Sequence, residues 1–137
     1  MKDRPVNPAF HRLGLLVGGE ALAVLARTRV IVFGLGGVGG WAAEALVRSG
    51  AGHITIVDND TVCVTNINRQ IQALQANLGL PKSALLLKRL LEINGQCEVR
   101  AFNNVFSRET ADLFEIERAD YVIDAIDSLS CKLDLIE

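Results

Sequence analysis

Arg29 to Phe33 reads as a short β-run that enters Gly34-Leu-Gly-Gly-Val-Gly39, and an Ala-rich helical run from Trp41 to Arg48 leaves it. A strand that turns on glycines into a helix constrains the fold more than any other stretch here. Glycines let a backbone approach a phosphate closely, and the helix N-terminus adds free N–H groups and a positive dipole end. Gly34, Gly36, Gly37 and Gly39 are therefore candidate phosphate-side residues. A second β-run, His53 to Val57, ends in Asp58, at the distance expected of an acid that binds a ribose hydroxyl. The bland alternative is that the glycines only permit tight packing of helix on strand. Strand, glycine turn, helix and acid in that order favour a nucleotide.

The rest of the chain alternates in the same way. Phe10, Leu13, Leu16 and Val17, then Leu22 and Leu25, recur at helical spacing and predict a leading amphipathic helix interrupted near Gly18-Gly19. Residues 58–70 read as a polar loop, and a short helix is expected over 68–76. Pro81 suits the first turn of a helix running to Ile93, with Asn94-Gly95 as its stop. Glu98 to Phe102 and Tyr121 to Ala125 are further strands, and Ser107 is the expected N-cap of a helix between them. Strands alternating with helices imply an α/β fold: a Rossmann-like, doubly wound, mainly parallel sheet with a leading N-terminal helix. Residues 1–137 read as one domain. Ser128 to Glu137 opens another apolar-periodic segment, and such a sheet usually continues past four strands. A truncated domain is thus expected, with self-pairing of a short protein as the alternative.

Composition narrows the classes. A net charge of −2 gives no global basic signature for nucleic acid. No apolar run reaches the length of a membrane span, and Met1 to Pro8 lacks the apolar centre of a secretion signal. Cys63, Cys97 and Cys131 form no C-x-x-C pair, which speaks against a zinc site or a disulfide framework and fits a cytoplasmic setting.

Five motifs fall in one order: Gly34 to Gly39, Asp58-Asn-Asp60, Asn66-Ile-Asn-Arg-Gln70, Pro81-Lys82 and Asp124-Ala-Ile-Asp127. Together they resemble the HesA/MoeB/ThiF superfamily of ubiquitin-activating-enzyme-like adenylyltransferases. Val62 to Ile71, with Gly39 to Leu46 before it, is similar to the tRNA threonylcarbamoyladenosine dehydratase family. Members of that family use ATP to cyclise a threonylcarbamoyl group on the adenosine beside the anticodon. A carboxylate is a poor electrophile, and attack on the α-phosphate of ATP activates it as an acyl-adenylate with loss of pyrophosphate. Positive charge must stabilise the phosphate oxygens during that transfer.

The resemblance implies ATP and Mg²⁺ as cofactors. It assigns Asp58 to the ribose, Gly37 to the phosphate-side backbone, and Asn66, Arg69 and Lys82 to the triphosphate. Asp127 would hold Mg²⁺. Arg12 would reach the ATP of a neighbouring protomer, which implies a homodimer. Modified tRNA is the implied substrate, with the C-terminal glycine of a ubiquitin-like sulfur carrier as the alternative. Gly40 stands where the family has serine. A non-catalytic fragment also fits, and the glycine motif with Asp58 alone would allow an NAD-dependent oxidoreductase. That last reading leaves Asn66 to Gln70 and Lys82 unexplained. Cys63 reads as a partly buried thiol without a role and Trp41 as a core residue. Asp124 reads as a strand-end acid that bonds backbone N–H groups.

Overall fold

β1 (Arg29–Phe33) and β2 (His53–Val57) are runs rich in β-branched residues, and they form the centre of a four-stranded sheet. Val30, Ile31, Val32 and Phe33 are all buried, because both faces of β1 are covered. This is why the run reads as continuously apolar rather than alternating. The computed structural model describes residues 7–137. The expectation about a secretion signal falls largely on residues outside that range. β3 (Glu98–Phe102) flanks β2, β4 (Tyr121–Asp124) flanks β1, and every pairing is parallel, in the order β3-β2-β1-β4.

Two layers cover the sheet. On one face, α3 (Gly39–Arg48) and α4 (Lys82–Ile93) bury Ala43, Val47, Leu86 and Leu90 against Val32, Ile54 and Ile56. On the other, Phe106 and Phe114 pack edge-on against Phe33 at ring separations of 4.9 and 5.3 Å. The leading segment is two short helices, α1 (His11–Val17) and α2 (Gly19–Leu25). Gly18, at φ +85°, makes the break between them. Leu15 and Leu16 on α1 are exposed. Among the described residues no single helix is long and apolar enough to cross a membrane. α5 (Leu129–Ile136) follows β4.

Two expected helices are absent. Residues 67–74 form turns between single 3₁₀ turns at Val64–Asn66 and Gln75–Asn77. Side chains compete there with the helical backbone pattern. Asn66 Oδ1 accepts from the Cys63 N–H, Gln72 Nε2 donates to the Leu35 carbonyl, and Asn77 Nδ2 donates to the Gln72 carbonyl. After Ser107, the Thr110 hydroxyl accepts from the Ser107 N–H and donates to the Val105 carbonyl. Two 3₁₀ turns follow instead, Ala111–Phe114 and Ile116–Arg118, with Glu115 at φ +51° between them.

Candidate functional site

Parallel register brings Phe33, Val57 and Asp124 level at the C-terminal edge of the sheet. The residues that follow them, Gly34, Asp58 and Ala125 to Asp127, therefore converge on one open cleft of about 790 Å³. In parallel α/β sheets this edge is where ligands bind.

The glycines divide into two kinds. Gly34 has φ +87°, and a methyl group there would fall 2.4 Å from the Ala125 carbonyl oxygen. One on Gly39 would fall 1.7 Å from the Gly34 oxygen, so this glycine lets α3 start against the turn. Gly36 and Gly37 instead line the cleft with bare backbone in front of the α3 N-terminus. Asp58 is half-buried and spends both carboxylate oxygens on the loop. Oδ2 accepts from the Leu35 N–H and Oδ1 from the Asp60 N–H, each at 2.7 Å.

The cations reach the cleft from two other elements. The Arg69 side chain lies along Gly37, and its Nη1 donates to the Thr65 carbonyl at 2.9 Å. Trp41 Nε1 donates to the Arg69 carbonyl, which explains why this tryptophan is half-exposed rather than in the core. Lys82 opens α4 with its side chain only 6% exposed, and Nζ donates to Asp60 Oδ2 at 3.0 Å. On the far rim Asp127 is exposed. Asp124 holds that rim: Oδ1 accepts from the Ile126 N–H and Oδ2 from Lys132 Nζ.

Thus Gly34, Gly36, Gly37, Asp58, Arg69, Lys82 and Asp127 come together. Asn66 and Gly39 are buried outside the cleft lining. Arg12 lies exposed on α1 and does not line the cleft of its own chain. Cys63 is exposed rather than partly buried, and hydrogen bonds from the Thr65 hydroxyl and nearby backbone N–H groups pull its thiol below the ordinary value. Sequence reasoning gave no role to Asp60, the partner of Lys82, or to the buried Gln70 and Gln72. Asp60 and Gln70 belonged to quoted motifs, but nothing in a string of letters tells which polar side chains turn inward. Among the described residues no three His, Cys, Asp or Glu side chains gather as a metal cluster. A metal here would take most of its ligands from phosphate and water, as Mg²⁺ commonly does.

The ThiF family model matches residues 10–137. The chain is 45% identical over 128 residues to the tRNA threonylcarbamoyladenosine dehydratase of Bacillus subtilis (strain 168), covering 93% of this chain and 50% of that protein. To the protein of the same name from Escherichia coli (strain K12) it is 46% identical over 127 residues, covering 93% and 47%. The crystal structure of E. coli TcdA, tRNA N6-threonylcarbamoyladenosine dehydratase, in complex with ATP aligns with a TM-score of 0.90 at 44% identity, over 93% of this chain and 53% of that one. The chain spans about half the length of the relatives it matches. With its glycine turn, acid, cations and sheet order in the arrangement just described, the chain belongs to the ThiF family.

Proposed function

We propose that this chain is the nucleotide-binding unit of an ATP-dependent adenylating enzyme that dehydrates threonylcarbamoyladenosine in tRNA. One observation carries the reading. The glycine backbone, Arg69, Lys82, Asp58 and Asp127 share one cleft, on a fold that aligns with an ATP-bound relative at 44% identity. Phosphates fit over the bare backbone of Gly36 and Gly37, beside the Arg69 and Gln70 side chains, where the α3 dipole favours negative charge. Arg69 presents a planar fork to two oxygens, and Lys82 a point charge. Asp58 serves the ribose while it holds the loop. Three carboxylates, Asp58, Asp60 and Asp127, face the same cleft as the two cations. A bare triphosphate would meet repulsion there, and a divalent cation would offset it. Asp127 is the side chain that would hold Mg²⁺, and the metal would supply positive charge to offset that of the phosphates.

The substrate carboxylate attacks the α-phosphorus and pyrophosphate leaves. The threonylcarbamoyl group then closes on its own activated carbonyl and expels AMP, so the nucleoside loses one water overall. Exposed Leu15 and Leu16 support a second copy packed on α1, with Arg12 reaching the partner's phosphates. A cytoplasmic location accords with this role.

The test supplies ATP, Mg²⁺ and tRNA bearing threonylcarbamoyladenosine to the chain, alone and joined to the C-terminal half of the B. subtilis relative. The expected result is a nucleoside lighter by one water, with AMP and pyrophosphate in equal amounts. Pyrophosphate release driven by a carrier protein's C-terminal glycine, and not by the tRNA, would favour sulfur-carrier activation instead.

A further inference from the structure

Two glutamines in the turn after Asn66 are buried, and each leaves its side-chain Oε1 without a hydrogen-bond partner among the described residues. Their circumstances differ. Gln72 has a structural role: its Nε2 donates to the Leu35 carbonyl at 2.6 Å and so ties the turn to the glycine loop. Gln70 is 7% exposed, lines the cleft, and holds Nε2 beside Gly36, where a methyl on that glycine would lie 3.7 Å away. A buried amide with an unmade bond is costly, and replacing it with an apolar group of the same shape is often neutral or favourable. The Gln70 Nε2 likewise makes no hydrogen bond among the described residues, and, unlike Oε1, it is not sealed from the cleft, so the donor end of this amide is the one open to a partner there.

We propose that the Gln70 carboxamide is a ligand of the nucleotide, donating an N–H hydrogen bond to a phosphate oxygen seated over Gly36. This rests on the cleft being a nucleotide site. The rest of that wall also complements an anion: bare glycine backbone, the α3 N-terminus and the Arg69 guanidinium. Gln70 adds a neutral donor that carries no charge of its own into the acidic cleft. Its orphaned Oε1 follows from aiming the donor end at the phosphate.

The experiment compares wild type, Gln70→Met, Gln70→Glu and Gln72→Met by thermal unfolding without ligand and by calorimetry with ATP·Mg²⁺ and with adenosine. Gln70→Met should melt higher than wild type and bind ATP about tenfold or more weakly, the scale of one hydrogen bond to a charged group. Adenosine, which has no phosphate, should bind unchanged. Gln70→Glu keeps the shape and removes the donor, so its ATP affinity should fall further while adenosine binding stays. Gln72→Met should melt lower. Wild-type ATP affinity in both Gln70 variants would overturn the proposal and leave the nucleotide reading standing. Equal losses for ATP and adenosine would also overturn it, since phosphate would then not be the group sensed. A wild-type chain that binds neither ligand would remove the nucleotide reading and this proposal together.

Discussion

Around the glycine loop, four of the five β1 residues are buried, and Asp58 and Gln72 tie the loop to β2 and to the turn that follows it. Across the cleft, β4 is mostly exposed, and α5 leaves Leu129, Leu133 and Ile136 open. The two walls face one cavity but rest on different support. The phosphate wall is held by the core, so its geometry is set before any ligand arrives. The Asp127 wall is held by the turn bonds of Asp124 and its ion pair with Lys132. On the proposed function, the contrast predicts that nucleotide binding and metal handling are separable in this chain, because only one of the two walls is built into the densely packed half.

Substitutions can break that contrast. The largest effect should come from Gly39→Ala, which puts a methyl 1.7 Å from the Gly34 oxygen. A loss of about 3 kcal/mol or more is expected in urea denaturation, with ATP binding lost as well. Leu86→Ala, at a fully buried site of α4, should cost about 3 kcal/mol and test the packing beneath the phosphate wall.

Asp58→Ala should cost about 2 kcal/mol, because two backbone N–H groups lose a charged acceptor. It should weaken ATP binding with or without magnesium. Asp127→Ala should leave the melting temperature unchanged and reduce only the magnesium-dependent part of binding. If magnesium titrations of the two variants coincide, the walls are not separable.

Acid stability sharpens the picture. Glu44, buried between α3 and α4, is raised by burial but lowered more by hydrogen bonds from Arg89 and Arg48 and by their charges. Its carboxyl thus lies below the ordinary value of 4.5. A depressed folded value contributes stability above the unfolded value, and that contribution disappears as pH falls through the folded one. Unfolding free energy should therefore drop as pH is lowered from about 4.5, and Glu44→Gln should flatten that limb. The smallest effect belongs to the open wall: Leu133→Ala, at an exposed site, should change stability by less than about 0.5 kcal/mol.

How much of this was legible in the sequence follows the same division. β1, β2 and β3 keep their expected bounds: β1 and β2 are runs rich in β-branched residues beside a glycine, and β3 alternates charged and apolar residues, so few other readings remain. β4 stops at Asp124, one residue short of the expectation. The helix expected over 68–76 failed because Asn66 and Gln72 bond backbone groups within and beyond the turn. The helix after Ser107 failed because Thr110 does the same. Glycines, Asp58, Arg69, Lys82 and Asp127 were readable as a set because their order is a motif. The ion pair of Asp60 with Lys82 and the inward turn of Gln70 were not, since both depend on which way a loop side chain points.

The central claim is that this cleft is built for a triphosphate with magnesium, and competitive calorimetry with ATP·Mg²⁺ and NAD tests it most directly. The account predicts tighter binding of ATP·Mg²⁺, because Arg69 and Lys82 both line the cleft, and two cations match the charge of a triphosphate better than that of the two-phosphate bridge of a dinucleotide. Equal or tighter binding of NAD would contradict it.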